Sequence, residues 1–277
     1  MRVDEVTELT ASLCLKANFE VRPDVAERLR AALEEENPPT ARLAIEQLLE
    51  NMEVAKSGSL PLCQDCGYVT VLAEVGQEVD FDGPFVEAVQ AGVAAGYERG
   101  HLRRSVIRHA LSERVRPEEV SPAKVYIELV SGDSLRLTVM PKGGGSDNAC
   151  HMRMMRPTAG EDEIVDFVVA SVGETGVNAC PPLVIGVAVG GSFDSVALSS
   201  KKVLLRKVGG PSEDPAARIL EERLLREVNE LGIGAAGLGG PATALGVAVN
   251  IGPTHIACLP VAVNISCNQL RSAAGEL

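Results

Sequence analysis

Apolar positions recur at three- and four-residue intervals through the first 56 residues, which predicts a helical N-terminal segment. Pro23 stands near the start of one helix, ahead of Val25, Leu29, Ala32 and Leu33. Pro38-Pro39-Thr40 ends that helix and opens another, whose apolar residues Leu43, Ile45, Leu48, Leu49 and Met52 keep helical spacing. From about residue 57 the pattern changes. A loop over 57–62 precedes a strand from Tyr68 to Val75 and an amphipathic helix from Phe85 to Glu98. Two β-rich runs, Val125 to Val130 and Leu135 to Val139, meet at Ser131-Gly132-Asp133-Ser134 and read as a hairpin. A loop over 141–149 leads to a helix near Glu161–Glu174. A buried strand over Leu183–Val189, helices over 194–207 and 214–231, and strands near 245–251 and 259–264 complete the pattern. Helices and strands alternate without a regular βαβ repeat. The fold class expected is therefore α+β, a mixed β-sheet with flanking helices and a helical N-terminal segment. No linker or repeat divides the chain, so one domain over 1–277 is expected, with the helical segment at 1–56 and a mixed body at 57–277.

Composition narrows the function. Apolar residues make up 45%, enough for an ample core, but aromatics are 3% and Trp is absent. A stacking platform for single-stranded nucleic acid is therefore not expected. A net charge of −12 argues equally against binding a phosphate backbone. No secretory signal and no apolar run of membrane-spanning length is visible, so the expectation is a cytoplasmic protein without a membrane segment. Seven cysteines in such a setting would serve metals, catalysis or ordinary burial rather than disulfides.

Three of those cysteines stand apart. Cys63 lies in Leu60-Pro61-Leu62-Cys63-Gln64-Asp65-Cys66-Gly67, Cys180 opens Cys180-Pro181-Pro182, and Cys267 ends an apolar run. They are 117 and 87 residues apart, so only a folded chain could unite them. Three thiolates on an iron–sulfur cubane would leave one iron without a protein ligand. Cys14 and Cys258 sit in apolar periodic segments and read as core; Cys66 and Cys150 are undecided. The lone Cys63–Cys66 CxxC has no second pair to make a zinc site, and it leaves open a thiol redox protein. A non-catalytic anion-binding or scaffolding protein with all its cysteines in the core is the third possibility.

Two glycine loops are candidates for anion contact. Lys142-Gly143-Gly144-Gly145-Ser146-Asp147-Asn148 follows a strand, and Gly190-Gly191-Ser192 joins a strand to a helix. Each taken singly is more simply a tight turn. His255, in Gly252-Pro253-Thr254-His255-Ile256-Ala257, reads first as a structural histidine, and Arg103-Arg104 as a solvated helix end or a carboxylate fork. The charged runs at Lys201-Lys202, Arg206-Lys207 and Arg218 to Glu230 read as solvated helix faces.

Taken in order, these segments resemble the α subunit of two-component class I fumarases and L-tartrate dehydratases. The matching runs are Pro61-Leu62-Cys63-Gln64-Asp65, Gly100-His101-Leu102-Arg103, Lys142 to Asn148 and Cys180-Pro181-Pro182. They continue with Gly190-Gly191-Ser192-Phe193-Asp194, Lys201-Lys202 with Leu204-Leu205-Arg206, Thr243-Ala244-Leu245-Gly246, and Pro253 to Asn264. The resemblance implies a [4Fe-4S] cluster on Cys63, Cys180 and Cys267. It implies a proton-transferring pair in Asp65 and His255, a carboxylate clamp in Arg103, and substrate contacts from Gln64, Gly143, Gly144 and Gly145. The reaction implied is reversible hydration of a C4 dicarboxylate, fumarate to malate first and L-tartrate to oxaloacetate as the alternative. Single-chain relatives carry a second domain with further site residues. The resemblance thus also implies inactivity alone, a separate β subunit and a possible α2β2 assembly. Cys66 stands where the family commonly has Thr, Asp147 where Glu is usual, and Asn268-Gln269-Leu270-Arg271 is an uncommon ending.

Overall fold

A computed structural model describes residues 1–58, 60–107, 109–112 and 123–277. Its elements in chain order are helices α1 (Val3–Phe19), α2 (Pro23–Glu35) and α3 (Pro39–Lys56), strand β1 (Tyr68–Gly76), helix α4 (Phe85–Arg99), and strands β2 (Lys124–Val130) and β3 (Leu135–Lys142). A short α5 (Gly144–Asn148), β4 (His151–Met155), α6 (Glu161–Thr175), β5 (Leu183–Gly191) and α7 (Phe193–Lys202) follow. Helix α8 (Pro215–Glu230) and strands β6 (Ala244–Thr254), β7 (Leu259–Ser266) and β8 (Ala273–Glu276) end the chain. The architecture is α+β, with two four-stranded mixed sheets. The described residues form two compact units, one from 1–22, 51–144 and 271–277, the other from 23–50 and 145–270.

The first unit is a sheet of order β2-β1-β3-β8 covered by α1 and α4. Val69, Val71, Ala73 and Val75 of β1 pack with Leu135, Leu137 and Val139 of β3, and against Val6, Leu13 and Cys14 of α1. Helices α1 and α4 approach closely because α4 offers glycines. A Cβ on Gly92 would strike Thr10 and the Thr7 carbonyl, and one on Gly96 would strike Cys14. Burial pushes the Cys14 thiol up to about 12, so it is inert core, as its apolar surroundings predict.

The expected hairpin between β2 and β3 does not form. Strand β1 lies between them, parallel to β2 and antiparallel to β3. The 131–134 connection instead wraps the end of β1, where Gly76 N–H donates to the Ser134 carbonyl (2.9 Å) and Gln77 N–H to the Val130 carbonyl (2.8 Å). A four-residue turn fixes the reversal of the chain but not what occupies the gap. The apolar β1 needs ladder partners on both edges and takes it.

The second unit has the order β4-β7-β5-β6. Strand β5 is buried along nearly its whole length, as its continuous apolar run predicts. Helices α6 and α8 contribute Val165, Val168, Val172, Leu220 and Leu224 to its core. Asp214 caps α8 by accepting the Ala216 N–H (2.9 Å), with Pro215 in the first turn. The α8 ion pairs Arg218–Glu222 and Arg223–Glu227 match the solvated face expected there. Glu221 departs from that reading. It is buried and accepts from Arg206 Nη1 (2.6 Å) and Val249 N (2.7 Å), because a strand edge beneath the helix needs an acceptor. The helix expected over 194–207 stops at Lys202 and tightens into a 3-10 turn at Val203–Leu205. The expected loop over 141–149 includes the end of β3 and all of α5, while β4 and β8 had no pattern to announce them. Cys258 is half-buried in a turn rather than core, since the apolar run around it spans a strand end. Among the described residues no helix is long and apolar enough to cross a membrane.

Candidate functional site

In the first unit the segment Pro61–Gly67 runs into β1 and is tied at both ends. Leu62 is buried, its N–H donates to the Asn18 carbonyl (2.8 Å), and its own carbonyl accepts from Asn51 Nδ2 (3.0 Å). Gly67 has φ +78°, and a Cβ there would collide with the Lys142 backbone, so the chain can enter the sheet only as glycine. Between these anchors the two cysteines diverge. Cys63 is half-buried, and its Sγ accepts the Asp65 N–H at 3.4 Å. Cys66 is buried, and its Sγ accepts the Arg103 N–H (3.1 Å) while facing the Cys63 carbonyl (3.8 Å). Burial raises the Cys66 thiol above its ordinary pKa, outweighing the Arg103 N–H and the Arg271 charge. A redox CxxC needs an accessible thiolate at a helix N-terminus, and this pair precedes a strand with one sulfur buried and protonated.

Asp65 is the best-defined side chain here. Oδ1 accepts the Gly67 N–H (2.9 Å) and Oδ2 the Gly144 N–H (2.8 Å). Partial burial alone would raise its pKa, but the Gly144 and Gly67 N–H groups, the nearby Ser105 hydroxyl and the Arg271 charge hold the carboxyl below the usual range. The structure thus brings Cys63, Gln64 and Asp65 together with Gly143 and Gly144, residues nearly 80 positions apart. Gln64 is exposed, and its Oε1 faces Cys63 Sγ at 3.4 Å. The Arg103 side chain is exposed, with its backbone fixed by Cys66.

The second unit holds Cys180, Cys267, Gly145 and His255. Cys180 is exposed at φ +57°, a strained left-handed conformation for a residue with a Cβ, beside a cis Pro181-Pro182 bond. Its carbonyl accepts Asn268 Nδ2 (2.8 Å) and Asn268 N–H (3.3 Å). Asn268 follows Cys267, so one buried amide locks the two cysteine-bearing segments to each other. Gly145 lies against the same approach, since a Cβ on it would stand 3.0 Å from the Asn178 carbonyl.

His255 is exposed in the turn between β6 and β7. Its Nδ1 accepts the Ala257 N–H (3.1 Å), which leaves Nε2 to carry the proton in the neutral ring. That turn rests on the other glycine loop, where Thr254 Oγ1 donates to the Gly191 carbonyl (3.0 Å). The Gly190-Gly191-Ser192 loop is engaged at Ser192 by its own neighbours. Ser192 Oγ donates to Asp194 Oδ1 (2.6 Å) and Ser192 N–H to Ser195 Oγ (2.8 Å), so the start of α7 is capped by its own side chains.

None of the seven cysteines is in a disulfide. Among the described residues no three His, Cys, Asp or Glu side chains converge as ligands of a single metal ion. Sequence reading missed Asn18, Asn268 and Arg271. For Asn268 and Arg271 the signal was the polar run directly after Cys267, which the structure buries; Asn18 in α1 had none.

The family model for fumarate hydratase (Fumerase) matches residues 7–276. The chain belongs to this family. Over 275 residues it is 32% identical to a Methanocaldococcus jannaschii protein provisionally named L(+)-tartrate dehydratase subunit alpha, covering 97% of this chain and 96% of that one. It is 26% identical over 269 residues to the L(+)-tartrate dehydratase subunit alpha of Escherichia coli strain K12 and to that of Shigella sonnei, covering 96% of this chain and 88% of each. Both family names denote hydro-lyases, and the matches span the chain rather than one motif.

Proposed function

We propose that this chain is the cluster-bearing α subunit of a hydro-lyase that reversibly adds or removes water at a C4 dicarboxylate, with fumarate and malate as the first pair to assay. The observation that carries this reading is Asp65, ionised and held by two backbone N–H groups, in the same short segment as Cys63. The thiolates of Cys63, Cys180 and Cys267 would hold a [4Fe-4S] cluster. The donor set fits: Cys63 Sγ already accepts an N–H bond, Cys180 is presented to solvent, and Asn268 fixes the Cys267 segment to Cys180. A cubane takes one thiolate per iron, so its ligands need not converge on one point as those of a single ion do. Cys66, buried and engaged with Arg103, stays out of the set. When bound, the cluster supplies Lewis-acid stabilisation of charge building on the substrate carboxylate.

The remaining roles belong to the chain. His255 exchanges a proton through Nε2 at the hydroxyl side, and Asp65 is the carboxylate that orients and tunes that transfer. Arg103 clamps a substrate carboxylate, and Gln64 with the 143–145 backbone lines its seat. Relatives named as α subunits support a β partner that completes the site, and an α subunit inactive without it. Thiols without disulfides suit a reducing cytoplasm. The relatives' names favour L-tartrate as the second substrate.

The test is anaerobic co-purification with a β subunit, iron and sulfide analysis, and assay on fumarate, malate and L-tartrate. About four irons per α subunit and turnover of one substrate, both lost in Cys267→Ser, are expected. Colourless, iron-free protein, or full turnover by the α chain alone, overturns the reading.

A further inference from the structure

Arg271 carries a charge that the proposed mechanism leaves unused. It stands just before β8 in the first unit and is only 4% exposed. Its Nη1 donates to Asn18 Oδ1 at 3.0 Å, and among the described residues no carboxylate forms an ion pair with it. Asn18, fully buried near the end of α1, donates through Nδ2 to the Cys14 carbonyl (2.9 Å). The Asn18 carbonyl also holds the Leu62 N–H, one residue before Cys63. One asparagine therefore anchors both the guanidinium and the segment that carries Asp65.

A buried guanidinium without a carboxylate partner is costly, and an apolar side chain of similar volume would commonly pack there at less expense. Its surroundings say what the charge is for. A Cβ on Gly143 would stand 3.1 Å from Asp65 Oδ2 and 3.8 Å from Arg271 Nη2. Carboxylate and guanidinium thus both stand over the Cβ side of Gly143, while the next residue, Gly144, donates its N–H to the same Oδ2. We propose that Arg271 is a positioning residue for the hydration reaction: anchored by Asn18, it fixes the turn at Gly143–Gly144 against Asp65, so that the carboxylate holds one orientation. This role rests on the hydro-lyase reading above.

The test uses the complete complex of α chain and β partner, with thermal midpoint and iron content measured beside kinetics. Arg271→Met should lower kcat by about tenfold to a hundredfold, the scale expected for a displaced reacting group, with KM within about threefold and iron content unchanged. Arg271→Lys, which keeps the charge, should recover part of that loss. Free guanidinium should raise the kcat of Arg271→Ala severalfold by refilling the site. A folded, iron-replete Arg271→Met with wild-type kcat overturns the inference. Should Arg271→Met fail to fold, Asn18→Ala decides, since it frees the guanidinium without removing it, and unaltered turnover there overturns the inference equally. An inactive wild-type complex would instead sink the hydro-lyase reading, whereas normal wild-type turnover with an indifferent Arg271 sinks this proposal alone.

Discussion

The two glycine loops look alike in sequence and differ in what their N–H groups meet. Each follows a strand and opens a helical turn. At Gly143–Gly144 the acceptor is Asp65, 79 residues away in sequence, and the loop is thereby joined to a cysteine segment. At Gly190–Ser192 the Ser192 N–H meets Ser195 Oγ, three residues on, while the Ser192 hydroxyl meets Asp194 Oδ1, and the loop closes upon itself. A glycine loop whose donor is claimed by a distant side chain is tied to a remote segment of the chain. When a neighbour claims it, the loop is a capped helix start.

Substitutions at the carboxylates separate the two loops most strongly. Asp65→Asn should reduce kcat by about a hundredfold or more, the usual weight of a group engaged in proton transfer. Asp194→Asn should leave kcat within about threefold. Equal losses in the same assay would erase the distinction.

Alanine scanning reverses the order, because stability follows space rather than chemistry. Gly190 has φ +94°, and a Cβ there would collide with the Gly252 carbonyl, so Gly190→Ala should cost about 3 kcal/mol in a denaturant midpoint. A Cβ on Gly144 meets only Asp65 Oδ2 at 3.7 Å, an ordinary contact, and Gly144→Ala should change stability by less than about 1 kcal/mol. A Gly144→Ala penalty as large as that of Gly190→Ala would mean that the first loop is as tightly closed as the second.

A smaller effect is expected from Asn268→Ala. The Cys180 carbonyl keeps the backbone N–H at 3.3 Å and loses the Nδ2 donor at 2.8 Å. The cost should be about 1 kcal/mol, with a clear fall in iron retained after anaerobic reconstitution. Unchanged iron content would separate this amide from the cysteines it joins.

The smallest effect concerns acid. The Ser192 hydroxyl holds the Asp194 carboxyl below its ordinary range, so its stabilisation is complete above the unfolded value of about 3.9 and fades as pH falls through the folded one. Asp194 is fully exposed, and only a slight flattening of the acid limb of a pH–stability curve should follow Asp194→Asn. A large change would place that carboxylate in a more buried network than its surroundings provide.

Most single elements were legible because each rests on local periodicity. The stripe Val6, Leu13, Cys14 of α1, the buried run of β5 and the Asp214-Pro215 start of α8 are each written within a few residues. Partnership was not. The pattern at 131–134 showed a reversal but not that β1 would lie inside it. The short strands His151–Met155 and Ala273–Glu276 are too brief or too small-sided to read as strands before a partner edge exists. At the site, Cys63, Cys180 and Cys267 stood out by their proline, glycine and polar neighbours, whereas Asp65 was reached only through the family resemblance. Cys66 was ambiguous because burial alone decides whether a thiol is inert. Arg271 and Asn268 were passed over because a buried polar residue looks, in sequence, like an exposed one.

The chain by itself therefore determined its helices, its apolar strands, its family and the residue types able to do acid–base and thiolate chemistry, since these follow from side-chain identity and short-range spacing. Tertiary structure alone decided strand order, which glycine loop would be claimed by Asp65, which cysteine would be buried, and that a buried guanidinium would rest near the Asp65 carboxylate. Those outcomes depend on backbone donors and charges meeting across long sequence separations, where the low dielectric of the interior makes each pairing or its absence count.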